Sequence, residues 1–215
     1  GTQTVISSGG LLNSLRNLDV DSSGDLIVND GSDSQLIRVD PATGAQSLIT
    51  SSGNISQPWG IAVTGASGTG DIFAANQTGG RITRIDEITG AQSVLSDGGI
   101  LNDSRDMEFD ADGNLLVADV NGNELIRVDR TTGNKSVLTS GGNLSVPWGI
   151  EVGGSGDVFV TSYSNGNVVR VNPISGAQTV LRSGLAFPTG IALDPQGDFV
   201  VIEQSPARVL RLDST

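Results

Sequence analysis

A chain of 215 residues with 36% hydrophobic content is long enough for one sizeable core, and 30 glycines against 7 prolines point to many short strands joined by tight turns. A formal charge of -12 with a single lysine, Lys135, excludes nucleic-acid and anionic-membrane binding, because either needs clustered cations to displace counterions from phosphates. The absence of cysteine and histidine removes disulfides, thiolate nucleophiles and the usual general base together, and no apolar run is long enough to span a bilayer.

A fixed period organises the chain. Repeats start at GTQTV (Gly1), GAQSL (Gly44), GAQSV (Gly90), GNKSV (Gly133) and GAQTV (Gly176), with lengths of 43, 46, 43, 43 and 40 residues. The boundaries are therefore 1–43, 44–89, 90–132, 133–175 and 176–215, and no residue is left over. A period near 43 residues marks a solenoid, a propeller or an array. Each repeat holds four short segments with period-two apolar patterning, separated by Gly, Asn, Asp or Pro. Running through the third repeat and into the start of the fourth they are Asp106 to Phe109, Asn114 to Ala118, Glu124 to Val128 and Lys135 to Leu138. Four antiparallel strands per repeat make the blade of a propeller, so the expectation is an all-β, five-bladed β-propeller forming a single domain over residues 1–215.

The first residues, GTQTVISSGG, stand in the phase of a fourth strand, and the last, RVLRLDST, in the phase of a third. Residues 1–8 are accordingly expected to complete the last blade and to remove two open sheet edges. A first residue other than methionine reads as a processed or excised chain, compatible with a secreted or periplasmic protein or with an engineered propeller.

In chain order, the entry to each first strand places Arg16, Trp59, Arg105, Trp148 and Thr189 at equivalent positions. Repeats one and three enter through SLRNLDVD and DSRDMEFD, and repeats two and four through QPWGIAV and VPWGIEV. These five residues are the candidate ligand-binding set. They are either a platform for a sugar or other planar ligand, with arginines stacking on tryptophan or gripping a carboxylate, or a plug packed against neighbouring loops. Within strand one, Leu18, Val20, Met107, Phe109, Ile150 and Val152 are expected to face the core. Asp19, Glu108 and Glu151 then alternate to the other side, with Asp106 two positions before Glu108. Asp19, Asp106, Glu108 and Glu151 are the candidate metal ligands, for a divalent cation such as calcium that would offset their repulsion; the alternative is neutralisation by Arg16 and Arg105 or a wet channel.

At the end of strand two stand Asp30, Asn76, Asp119, Ser162 and Glu203, able to reach a ligand or to bond the adjoining turn. Strand three repeats Arg38, Arg84, Arg127, Arg170 and Arg211, each followed two positions later by Asp40, Asp86, Asp129, Asn172 or Asp213. A feature present in every repeat is read as structural charge pairing.

PWGIAV (58–63), GDIFAAN (70–76), GGRITRID (79–86) and PTGIALDPQGDFVV (188–201) resemble NHL repeats and, more loosely, virginiamycin B lyase-like and gluconolactonase-like propellers. The resemblance covers the whole chain and implies the propeller fold, usually of six or seven blades. Gluconolactonase-like propellers hold a channel metal partly through an asparagine beside a Pro-x-Gly segment, where this chain has Trp59, Trp148 and Thr189. Virginiamycin B lyase-like enzymes use a histidine, which this chain lacks. The expected function is a non-catalytic binding or scaffold module with a protein or carbohydrate ligand, acting as a monomer. A metal-assisted lactonase or lyase with an acidic axial site, and an engineered propeller without activity, are the alternatives.

Overall fold

The computed structural model describes residues 3–64, 70–77 and 79–213. All its regular elements are strands, arranged as five antiparallel sheets in which consecutive strands pair. Two compact units contain them, Gly1–Asp97 with blades 1 and 2 and Gly98–Thr215 with blades 3 to 5.

In the first unit, blade 1 is β1 (Leu15–Val20), β2 (Leu26–Asp30), β3 (Gln35–Val39) and β4 (Gln46–Ser51). Blade 2 is β5 (Pro58–Val63), β6 (Asp71–Asn76), β7 (Ile82–Asp86) and β8 (Gln92–Ser96). Ile27 and Leu36 of blade 1 bury against Ile61, Val63, Ile72, Ala74 and Ile85 of blade 2. The strands with both faces covered read as near-continuous apolar runs for that reason, IFAA being the clearest.

In the second unit, blade 3 is β9 (Ser104–Phe109), β10 (Leu115–Asp119), β11 (Glu124–Val128) and β12 (Lys135–Ser140). Blade 4 is β13 (Pro147–Val152), β14 (Val158–Ser162), β15 (Asn167–Val171) and β16 (Gln178–Arg182). Blade 5 is β17 (Pro188–Leu193), β18 (Phe199–Gln204) and β19 (Ala207–Leu212). Leu116, Ala118 and Leu125 bury against Ile150, Val158, Val160, Val169 and Val171 between blades 3 and 4. Between blades 4 and 5 the edge of Phe159 meets Phe199 at 4.8 Å between ring centroids.

Two expectations are corrected. Among the described residues blade 5 has three strands and residues 3–8 belong to no strand, where a fourth strand was expected from residues 1–8, of which residues 1 and 2 lie outside the described residues. Residues 7–11 nevertheless meet blade 1 as the end of a fourth strand and the loop after it meet the next blade elsewhere. Gln46 bonds Ser7 Oγ, the Gly9 carbonyl and the Leu11 N–H, as Gln92 bonds Thr50 Oγ1, the Ser52 carbonyl and the Asn54 N–H. Gln178 does the same with Thr139, Gly141 and Asn143. The second correction concerns Leu18 and Val20, which are 57% and 49% exposed. Their cross-strand partners are Val28 and Leu26, on the face of blade 1 turned away from blade 2, where Leu11 and Leu12 pack. Met107 and Ile150 are buried as expected.

The strand-three arginines are structural, but their partners are not the acids two positions later. Arg38, Arg127 and Arg211 bond Asp21, Asp110 and Asp194 at the hairpin joining strands one and two. Arg84 and Arg170 pair with Asp71 and Asp157. Arg38 also bonds Glu87 of blade 2, tying the blades of the first unit together. The acids after them cap the next turn: Asp40, Asp86, Asp129 and Asn172 each accept two backbone N–H bonds from residues two and three positions on.

Candidate ligand site at the entry to the first strands

Every blade has a register shift near the start of its first strand. The shifts fall between Leu15 and Leu18, Pro58 and Gly60, Ser104 and Asp106, Pro147 and Ile150, and Pro188 and Ile191. Arg16, Trp59, Arg105, Trp148 and Thr189 lie inside these irregular steps. An extra residue in one strand bends it and redirects a side chain, and such bulges collect beside binding sites. The turn before them is held from strand two. Asp30 accepts from the Asn13 and Ser14 N–H groups, Asn76 from Ser56, Asp119 from Asn102 and Asp103, Ser162 from Ser145, and Glu203 from Ala186. These five residues bond the adjoining loop in all blades. Four hydrogen bonds hold the Asp30 carboxyl below the ordinary carboxylate range despite its burial, which by itself pushes the other way.

In the first unit the Arg16 guanidinium carbon lies 4.5 Å from the centre of the Trp59 ring, and Trp59 Nε1 donates to Gln77 at 2.8 Å. In the second unit Arg105 lies 4.9 Å from the Trp148 ring centre and pairs with Asp103 at 2.9 Å. Trp148 also stacks on Tyr163 at 5.0 Å, and Tyr163 meets Phe187 at 5.1 Å. Trp148 is thus half-buried and already engaged by both the Arg105 guanidinium and the Tyr163 ring. The ring left most open is Phe187, which is 46% exposed. Tyr163 Oη is held 3.0 Å from Gln204 Oε1.

Thr189 lies apart from this row. It is buried, its carbonyl accepts from Thr161 Oγ1 at 2.5 Å, and its hydroxyl faces the Ile202 carbonyl. Its place at the surface is taken by Phe187, two residues earlier. Phe187 has a φ of 53°, and the residues at the same position of blades 2 and 4, Gln57 and Val146, have 47° and 58°. All three precede proline. Left-handed backbone in a non-glycine residue costs on the order of 1–3 kcal/mol and survives only where its surroundings enforce it. The enforcing contacts are hydrogen bonds from the Gln77, Tyr163 and Gln204 N–H groups to the carbonyls of Gln57, Val146 and Phe187. Tyr163 and Phe187 were missed in the sequence. The signals were available: Tyr163 is the only tyrosine, directly after strand two, and Phe187 is the one aromatic before a strand-one proline.

The four acidic residues of strand one divide between the units. In the first, Asp19 Oδ2 accepts from the Val63 N–H of blade 2 at 2.7 Å. In the second, Asp106 Oδ2 accepts from the Ile150 N–H of blade 4 at 2.9 Å, and its Oδ1 from Met107. Glu108 accepts from the next residue, Phe109, at 2.8 Å. Burial pushes the Glu151 carboxyl up, a hydrogen bond from the Leu193 N–H of blade 5 opposes this, and the charge of Asp106 adds to it. Asp19, Asp106 and Glu151 therefore staple the first strand of one blade to that of the next. Among the described residues no group of three or more His, Cys, Asp or Glu side chains is placed to hold a metal ion.

No protein-family model matches the sequence, and no curated protein matches it. Solved structures do. A chain of the Nidogen/Laminin complex superposes with a TM-score of 0.82 at 22% identity, over 94% of this chain and 77% of that one. The Staphylococcus aureus virginiamycin B lyase with quinupristin gives 0.74 at 18%, over 94% and 70%. The PQQ-bound aldose sugar dehydrogenase from Streptomyces coelicolor gives 0.72 at 17%, over 97% and 79%. At these identities the likeness is one of fold, and one scaffold serves unrelated functions. The chain is thus an all-β propeller of five blades, sharing its fold with a protein of the nidogen–laminin complex and with virginiamycin B lyase.

Proposed function

We propose that the chain is a non-catalytic binding module whose ligand is a protein segment with basic residues and an apolar anchor. The observation that carries this reading is the row Arg105, Trp148, Tyr163 and Phe187, in which Trp148 is already engaged by a guanidinium and a stacked ring while Phe187 at the outer end is exposed and held in a strained conformation. A sugar stacks on an open indole face. A protein anchor needs a rigid aromatic edge with an ordered surround, which is the composition of interface hot spots. The net charge of -12 favours a cationic partner by long-range attraction. A propeller of this fold in the Nidogen/Laminin complex is consistent with such a role.

Selection of displayed peptides against the chain, with counter-selection on Phe187→Ala, tests the proposal. Basic peptides carrying an aromatic or branched side chain are expected, and their affinity should fall at least tenfold with Phe187→Ala. Quenching of tryptophan fluorescence by an oligosaccharide panel, with no peptide selected, would move the assignment to carbohydrate.

A further inference from the structure

We propose that blade 4 carries a second site, at the opposite end of its first strand, for a small apolar carboxylate. Three sister blades define the chemistry. In blades 1, 3 and 5, the residue after strand one is an aspartate whose Oδ2 accepts from the strand-three arginine Nε, at 3.2 Å for Asp21, 2.7 Å for Asp110 and 2.7 Å for Asp194. Its Oδ1 accepts from two backbone N–H groups of the following turn. They belong to Ser23 and Asp25, to Asp112 and Asn114, and to Gln196 and Asp198, at 2.8–3.0 Å. One guanidinium and two amides thus form a carboxylate cradle in each of these blades.

Blade 4 keeps the turn and the arginine of the cradle and lacks the carboxylate. Its turn reads Gly153-Gly154-Ser155-Gly156-Asp157, where blade 1 has Asp21-Ser22-Ser23-Gly24-Asp25. The backbone is the same: Gly153 N–H bonds the Asp157 carbonyl at 2.9 Å and Gly156 N–H the Gly153 carbonyl at 2.8 Å, as Asp21 and Gly24 do in blade 1. Arg170 stands on strand three as Arg38 does. Gly153 supplies no carboxylate, and among the described residues no other side chain accepts from the Ser155 and Asp157 N–H groups. In its stead a cavity of about 220 Å³ opens, lined by Gly153, Ser155 and Arg170 on the polar side and by Phe159, Leu193 and Phe199 on the apolar side.

Arg170 Nε already lies 3.2 Å from Asp157 Oδ1. That does not fill the guanidinium, since Arg211 holds both Asp194 and Asp198 at 2.7 and 3.0 Å in blade 5. The arginine is therefore suited to a second carboxylate, which in blade 4 must come from outside the chain. The volume is below the roughly 300 Å³ at which drug-sized pockets begin, so the ligand is fragment-sized, and the phenylalanine and leucine walls select an apolar body. A planar bidentate donor discriminates a carboxylate from a neutral amide of the same shape.

The test uses benzoate and its neutral analogue benzamide, followed by amide chemical shifts of the whole chain. Benzoate is expected to perturb Gly153 to Asp157, Phe159 and Phe199 with a Kd on the order of 1 mM, the scale of a fragment this small. Benzamide and the Arg170→Gln variant should each bind at least tenfold more weakly. Gly153→Asp should abolish binding by supplying the internal carboxylate. A Cβ there would lie 3.0 Å from the Phe159 ring edge, so folding of that variant is checked first, and the benzamide and Arg170→Gln comparisons stand without it. No response to benzoate at 20 times that Kd, equal responses to benzoate and benzamide, or undiminished binding by Arg170→Gln would overturn the proposal.

Discussion

Asp106 Oδ2 accepts a hydrogen bond from the Ile150 N–H at 2.9 Å and so joins the first strand of blade 3 to the first strand of blade 4. Asp19 and Val63 repeat the arrangement between blades 1 and 2 at 2.7 Å. Truncation of either acid strands an amide between packed sheets, at a cost of about 1–3 kcal/mol. Asp106→Ala and Asp19→Ala should therefore lower the denaturation midpoint, with Asp106→Asn losing less because its amide oxygen still accepts. The expectation extends to metals: calcium or EDTA should leave the midpoint of the unmodified chain unchanged, as followed by thermal denaturation.

Glu151 is a charge held at a desolvated position. Its carboxyl is raised above 4.5 in the folded state, so between the ordinary value and the folded value the native chain binds more protons than the unfolded one. Stability contributed by this group is then present at low pH and lost as pH rises through the folded pKa. Glu151→Gln, which keeps an oxygen for the Leu193 N–H, should be more stable than the parent at pH 7 and indistinguishable from it below the ordinary carboxylate range. Urea unfolding across pH 3–8 checks the sign.

Asp30 behaves oppositely. Burial raises its pKa, but the bonds from Ser14, Asp33, Asn13 and Ser32 outweigh this and leave it below 3.8. Its stabilisation is present above that value and is lost as pH falls through the lower folded pKa. Asp30→Ala should cost about 1–3 kcal/mol at pH 7. The difference from the parent should shrink in acid, measured by the same unfolding series.

Gln46 binds the N-terminal segment to blade 1 through Ser7, Gly9 and Leu11, at 2.7–3.1 Å. Gln46→Ala should destabilise by roughly 2 kcal/mol, from two or three bonds at about 1 kcal/mol apiece, and deletion of residues 1–8 by less, because it removes the Ser7 bonds and leaves those of Gly9 and Leu11. Combining them should cost less than the sum, because both remove the Gln46–Ser7 bond. Calorimetry of the single and double variants decides this.

Phe187 sits at a φ of 53° before a proline. Phe187→Ala keeps a Cβ in the left-handed region, whereas Phe187→Gly releases that strain, so the glycine variant should be the more stable of the two by about 1 kcal/mol. Both remove the exposed ring, and peptide binding should be lost equally. A binding difference between them would place the function in the backbone rather than in the aromatic edge.

Much of this was legible before any coordinate. In the third repeat, the expected strand Glu124 to Val128 matches β11 at both ends, and the other three differ from β9, β10 and β12 by one or two residues at their ends. Positional equivalence likewise aligned Arg16, Trp59, Arg105 and Trp148, and two Arg–Trp stacks follow from that alignment. Other features were not legible. Tyr163 and Phe187 join the row through contacts across three loops, and Thr189 turns inward because its carbonyl is captured by Thr161. The strand-three arginines look as if they pair with acids two positions on, since those share a strand face. The hairpin carboxylates win because they lie across the sheet at hydrogen-bond distance.

The sequence by itself determined the number of repeats, the strand phases and the turn chemistry, because these depend on local periodicity and on residues adjacent along the chain. The tertiary structure decided which carboxylates serve as staples, which rings stack on one another and where Gly153 opens a cavity. Each of those depends on pairs such as Asp106 and Ile150, 44 residues apart, that meet only when one sheet packs on the next. Hydrogen bonding and dispersion act over a few ångströms, and no spacing along a chain encodes which groups packing will bring that close.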